Sequence, residues 1–430
     1  MGPQLKANLC GKLRDFETEI ISKRSVVEHW FRDMFAKYKP PFYSSVDLRN
    51  ACFKIAPIDT NLFPAGFNNI GEDDRRSTVQ AFISAVERHC PHAETVLIVP
   101  ENHTRNLYYH QHIGHLHALL SNVGLKAEIG SHEDSFCNLK EIVFKNLEGL
   151  PTSVPIKKVH FEKNSLYVDG KKPELVLLNN DFSSGIPAEY QNMVGSQTLV
   201  PSLDASWAIR KKSNHFKLYE ETAKEFSKIF DVDDWFINPI NRRCCDIDFK
   251  EKKGEVCLVK NIEEVLNEIK RKYREYGIKK KPFVVIKANS GTYGMSVMTI
   301  RESSEIYRLN NKQRKKMSTS KEGIIVKDVL IQEGVYSFET VIDYDIQSVA
   351  EPVVYLVDKY VVGGFYRIHS EKGLDENLNT PGMRFFPIAF EDSCQLPASS
   401  SDPDSITNRL YFYGVIARLA ILAAAKEIRE

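Results

Sequence analysis

The segment VVIKANSGTYGMSVMTI, residues 284–300, puts a lysine at the end of a β-branched apolar run and two glycines just beyond it. A buried strand that delivers Lys287 and the loop amides around Gly291, Thr292 and Gly294 to one place suits phosphate, because a cation and exposed amides answer the same negative charge. A plain glycine hairpin beside a snorkelling lysine would use the same residues. Three further features follow in order. IIVKDVLIQEGV brings Gln332 and Glu333 to a strand end, where backbone amides can read an adenine edge. VVGGFYRIH offers Arg367, and LDENLNTPGMRF supplies Glu376, Asn377 and Asn379 ahead of a Pro-Gly turn. Carboxylate and amide oxygens suit Mg²⁺, which prefers oxygen ligands and shares them with phosphates. Each feature alone could be an ordinary strand end or polar turn; four in this order favour nucleotide chemistry.

A second cluster fills residues 44–71, where Asp47, Arg49, Asn50, Lys54, Asp59, Asn61, Asn68 and Asn69 are interleaved with Phe53, Phe63 and Phe67. Mixed charges with short amides suit a zwitterionic ligand: a cation for its carboxylate, an aspartate for its ammonium, amides for orientation. The alternative is a long structural loop whose asparagines cap its own turns. PENHTRN, residues 100–106, directly follows the apolar run VLIVP, so Glu101, Asn102, Thr104 and Arg105 stand at the carboxyl end of an expected strand, where α/β sheets hold ligands. Arg105 there could hold a second carboxylate. His110, His112, His115 and His117 share one short helix and raise the question of zinc, although no H-E-x-x-H pattern accompanies them. No Ser-His-Asp or Cys-His nucleophile arrangement is visible.

These residues need a scaffold of some size. The chain has 430 residues, 42% of them apolar, which suggests about two to three domains. Its 58 basic and 57 acidic side chains leave a formal charge of +1, a balance that argues against a protein built to coat nucleic acid or an anionic membrane. The first residues lack a signal-peptide core, and GVIARLAILAAAKEIRE near the end reads as an amphipathic helix too short to span a bilayer. Eight scattered cysteines without a C-x-x-C pair fit reduced thiols and a cytoplasmic location. Helical patterns over 12–38, 77–90 and 108–123 alternate with strand-like VLIVP, KAEIG and PELVLLNND. That pattern implies an α/β part with a mostly parallel sheet. After an aperiodic boundary at 185–207, a helix capped by Ser213 or Asn214 is expected. The 284–300 unit and three strand-like runs then imply an antiparallel sheet with helices, an α+β part. The division expected is 1–200, binding substrate, and 201–430, binding nucleotide and carrying catalysis.

The order of Lys287, QEGV, Arg367 and the Asn-rich loop resembles an ATP-grasp fold. More narrowly, DLRNACFKIAPIDTNLFPAGFNNI, VPENHTRNLYY, IKANSGTYGM, AEPVVY, VVGGFYR and ENLNTPGM together resemble the proteobacterial type of glutamate–cysteine ligase, over about residues 12 to 428. The resemblance implies ATP- and Mg²⁺-dependent joining of the γ-carboxylate of L-glutamate to the amine of L-cysteine through an acyl phosphate. It places the phosphate-binding lysine at Lys287, the adenine hinge at Gln332, Glu333 and Val335, and a phosphate-meeting arginine at Arg367. No clean Glu-x-Asn metal motif is present; Glu376 with Asn377 or Asn379 is the nearest set, and Glu351 is a further candidate ligand. Asp59 is a candidate base or ammonium partner, and Arg49 and Arg105 are candidates for substrate carboxylates. Small-molecule partners alone are expected, with a homo-oligomer left open. A different ATP-grasp ligase, including a glutathione synthetase-like one, and a non-catalytic nucleotide-binding regulator are the alternatives.

Overall fold

The computed structural model describes residues 4–6, 9–71, 74–146, 148–291, 296–319, 325–343, 346–388 and 406–428. Thr292, Gly294 and Cys394 lie outside these. The architecture is a mixed α/β one with several sheets. Four parallel strands, Thr198–Val200, Leu175–Asn179, Thr95–Pro100 and Lys126–Ser131, stand side by side in that order, and Pro151–Glu162 extends the row in parallel. The three apolar runs expected as parallel strands are all in this sheet. Thr95–Pro100 and Leu175–Asn179 are buried on both faces, as a sheet covered by helices requires, whereas Lys126–Ser131 is buried only over its second half.

The second half supplies two antiparallel sheets. Asn241–Cys245, Asp328–Glu333, Val284–Ala288 and Val297–Ile300 form the smaller one. Helix Glu255–Glu275 covers it with Leu258, Ile262, Val265 and Ile269, an i, i+4, i+7, i+11 stripe. The larger sheet centres on Ile346–Val357, paired with Tyr360–His369 on one side. Its neighbour on the other flank is partly Tyr43–Asn50, which in turn pairs with Ile55–Asn61. The stretch expected as a polar loop is therefore a hairpin of two strands from before residue 200, hydrogen-bonded into a sheet of residues 339–387. The expectation failed because the first strand finds its pairing partner some 300 positions away and its polar positions Asp47 and Arg49 line a cavity, so a binding segment and a paired strand share one sequence.

Two helices also differ from expectation. The final one, Ile406–Glu427, is not amphipathic: its described side chains from Arg409 to Ala425 are nearly all buried, so it is a core element. Its Arg409 pairs with Glu17 at 2.7 Å and its Arg418 with Glu28 at 2.8 Å. Helix Lys212–Ser227 begins at Lys212 rather than after a Ser213 or Asn214 cap. The Ser213 amide donates to Asn289 Oδ1 at 2.8 Å, so the cap comes from a distant loop. Among the described residues no helix is long and apolar enough to cross a membrane.

Candidate active site

A cavity of about 1040 Å³ is lined by the two antiparallel sheets and by residues just beyond the ends of the parallel strands. Strand alternation decides which residues reach it. On Tyr43–Asn50 the odd positions Ser45, Asp47 and Arg49 line the cavity, while Val46 and Leu48 face the core. On Ile346–Val357 the lining residues are Glu351, Val353 and Tyr355; on Tyr360–His369 they are Phe365 and Arg367. The small sheet adds Val285, Lys287 and Gln332. Asp59, Asn61, Asn68, Asn69, Gly291, Glu333, Val335, Glu376, Asn377 and Asn379 also line it, so one cavity gathers most of the residues singled out in the sequence.

Of the candidate substrate-binding residues, three do not line it. Asn50, an even position, donates to Glu339 Oε1 at 2.9 Å and Tyr413 Oη at 3.1 Å on the core side. Lys54, just past that strand, is buried beneath it, with Nζ on Trp235 O (2.5 Å), Asn238 O (2.7 Å) and Glu333 Oε2 (3.0 Å). Arg105 is exposed and away from the cavity wall. The four helix histidines spend ring nitrogens on protein partners: His110 on His103 O at 2.7 Å, His112 on Asn179 Oδ1 at 3.2 Å, His115 on Gln111 and His117 on Ala127 O.

At the cationic end, Lys287 donates to Ile58 O at 2.7 Å and Gln332 Oε1 at 2.8 Å, both neutral acceptors. Burial pushes its ammonium down to about 8, with Asp59 opposing the shift and Lys212 reinforcing it. Gln332 Nε2 is buried with no hydrogen-bond partner among the described residues, a donor left for a ligand. Burial would raise the Asp59 carboxyl, but Lys212, at 2.5 Å, and Lys287 outweigh it and hold it below its ordinary value.

A second ionic cluster adjoins the first. Arg367 Nη1 donates to Asp47 Oδ2 at 3.0 Å and Glu351 Oε1 at 2.6 Å, and burial keeps Asp47 raised despite that partner. Arg49 donates to the other Glu351 oxygen at 3.1 Å, to Val335 O at 3.2 Å and to Glu376 O. It thus ties the hinge strand to the Asn-rich loop. The chain turns at Gly334 directly against Phe283: a Cβ there would meet the ring at 2.1 Å, so only glycine fits between hinge strand and ring.

Lys212, unremarked in the sequence, is the main addition. Its partner Asp59 lies 153 positions away, yet a signal existed: a lysine in the first turn of a helix opposes the macrodipole and needs some other reason to be there. Glu101 and Asp181, just beyond adjacent parallel strands, line the far end of the cavity.

Among the described residues no three His, Cys, Asp or Glu groups stand together as a ready metal site. Glu376 lines the cavity, its Oε2 accepting from the Gly373 amide at 2.7 Å and its Oε1 3.6 Å from Lys372 Nζ, whereas both Glu351 oxygens are taken by arginines. A sparse oxygen set of this kind fits Mg²⁺, which is commonly bound by one or two carboxylates together with substrate phosphates.

A family model described as glutamate-cysteine ligase matches residues 17–428. A solved structure from Methylobacillus flagellatus KT, named "Putative gamma-glutamylcysteine synthetase", aligns with TM-score 0.88 at 45% sequence identity, covering 99% of this chain and 98% of that one. D-alanyl-alanine synthetase A from Vibrio cholerae O1 biovar eltor aligns at 11% identity over 76% of this chain and 81% of its own, with TM-score 0.32, too low to bear on the argument. No curated protein matches.

Proposed function

The chain belongs to the glutamate–cysteine ligase family, and from that premise we propose that this cavity is where ATP, L-glutamate and L-cysteine meet to give γ-glutamylcysteine. The observation that carries the proposal is the convergence of Arg49, Lys212, Lys287 and Arg367 with Asp47 and Asp59 on one cavity. A carboxylate is a poor electrophile. Its oxygen therefore attacks the terminal phosphorus of ATP, and ADP leaves. The cysteine amine then attacks the acyl carbon and expels phosphate.

Bringing a carboxylate to a polyphosphate sets anions against each other, and fixed cations relieve that repulsion where charge builds up. Lys287 and Lys212 serve this role beside the phosphates, and Arg367 beside the transferred group. The backbone from Gln332 to Val335 reads adenine, in an ATP-grasp-like arrangement of the two antiparallel sheets. Mg²⁺ would be held by Glu376 with Asn377 and Asn379 and would neutralise phosphate charge. Glu351 orients Arg49 and Arg367, and Asp59, kept ionised by two lysines, receives an ammonium or takes the amine proton. Within this reading residues 1–200 supply groups for the amino acids and 201–430 those for the nucleotide, with Tyr43–Asn50 serving both.

Incubating the purified protein with ATP, Mg²⁺ and L-glutamate, with and without L-cysteine, tests the reading. Cysteine-dependent ADP and a product with the mass of γ-glutamylcysteine are expected. Turnover only with a different amine would overturn the substrate assignment.

A further inference from the structure

Glu427, at the end of the buried C-terminal helix, is 4% exposed at its side chain and does not line the cavity. Its Oε2 accepts from Arg210 Nε at 2.9 Å and stands 3.5 Å from His215 Nδ1. Burial pushes this carboxyl up, but Arg210 and His215 outweigh it and hold the group at about 2. Both partners then reach the same residue of the hairpin: Arg210 Nη1 donates to Thr60 O at 3.5 Å, and His215 Nε2 meets Thr60 Oγ1 at 2.9 Å. Thr60 is followed back along the chain by Asp59, whose Oδ1 accepts both the Thr60 amide at 3.1 Å and Lys212 Nζ at 2.5 Å.

Lys212 sits between Arg210 and His215 in sequence and lies 4.3 Å from the Trp207 ring, which Arg210 also covers at 4.8 Å. The backbone amides of Lys212 and Ser213 donate to Asn289, two residues past Lys287. The same segment, residues 207–215, is therefore fastened to the C-terminal helix on one side and to the phosphate-side loop on the other.

We propose that Glu427 is a positioning residue for the ligation cavity: through Arg210 and His215 it locks the 207–215 segment onto Thr60, so that Lys212 meets Asp59 beside Lys287. Removing one partner of a buried charge pair leaves the other uncompensated, and Arg210 is the group then left to move. A shift of about 1 Å in a positioning group is enough to cost up to a hundredfold in rate. The kinetic arm of the test rests on the ligase reading; the chemical arm does not.

The variant is Glu427→Gln, with Glu17→Gln as a control that breaks a different buried ion pair on the same helix. Limiting acetic anhydride, resolved peptide by peptide by mass spectrometry, reads the reactivity of Lys212 against Lys54 and surface lysines. In Glu427→Gln we expect Lys212 acylation to rise several-fold with Lys54 unchanged, and kcat to fall about ten- to a hundredfold in the folded fraction. In Glu17→Gln the melting temperature drops but neither readout moves. Should Glu427→Gln fail to fold, Arg210→Lys keeps the charge yet cannot span Glu427 and Thr60 together, and the same two changes are expected. Unchanged Lys212 reactivity, or an equal change in Glu17→Gln, overturns the proposal. Should the parent not ligate glutamate to cysteine, the substrate reading fails and the acylation pattern still decides the positioning role.

Discussion

Two lysines on either side of one strand have opposite situations. On Asp328–Glu333 neighbouring side chains face opposite ways: Glu333 meets Lys54 on the core side, and Gln332 meets Lys287 on the cavity side. Lys54 is 1% exposed and answered by a carboxylate, two carbonyls and the Trp235 ring at 4.3 Å. Burial pushes its ammonium down and the Glu333 carboxyl up, and each partner opposes the other's shift. Among the described residues Lys287 has only a carbonyl and an amide oxygen as direct partners, with one side on the cavity. Of this pair, the lysine given its own carboxylate in the core is part of the fold, and the one given neutral partners keeps positive charge available for an anion.

The sharpest way to break this contrast is at Lys54. Lys54→Met leaves Glu333 buried without its cation, and unfolding in urea is expected to show a loss of about 3–5 kcal/mol. An unchanged midpoint would deny the pair its structural part. Lys287→Ala should leave the urea midpoint nearly intact and lower kcat/KM for ATP by roughly 2–4 kcal/mol of transition-state stabilisation. Full activity in that variant would remove Lys287 from the chemistry.

The pH dependence sharpens the contrast further. Burial lowers the Lys287 pKa from 10.5 to about 8. Its protonated form therefore opposes folding of the ligand-free protein most fully below about pH 8, and that cost fades as pH rises toward 10.5. Phosphate binding runs the other way, since the neutral amine holds no charge. The kcat/KM for ATP should fall with an alkaline limb near pH 8, and Lys287→Arg should carry that limb out of range. The smallest effect is expected at Arg105, exposed and off the cavity wall: Arg105→Ala should change the glutamate KM by less than about 0.5 kcal/mol in free-energy terms.

The sequence made Lys287 legible because an apolar β-branched run ending in a lysine and glycines is a local pattern, and the structure keeps Val284–Ala288 as a strand. The parallel strands were equally plain, since strands buried on both faces are short and continuously apolar. The hairpin of residues 43–61 was not, because its pairing partner lies some 300 positions away and its Asp47 and Arg49 face a cavity instead of water. Lys54 carries no such local mark; its pairing with Glu333 on the core side of Asp328–Glu333 is what gives it its part. Lys212 needed Asp59 across 153 positions to acquire meaning. The C-terminal helix was misread because Arg418 suggests a polar face, whereas its guanidinium is matched by Glu28 of helix Arg24–Lys37.

The central claim is that glutamate is activated by phosphorylation inside this cavity. L-glutamate labelled with ¹⁸O in its γ-carboxylate, turned over with ATP and L-cysteine, tests it by mass analysis of the phosphate released. Transfer of one labelled oxygen to each phosphate is the result predicted by carboxylate attack on the terminal phosphorus. Phosphate free of label, with γ-glutamylcysteine still formed, would contradict the acyl phosphate and the roles given to Lys287 and Arg367.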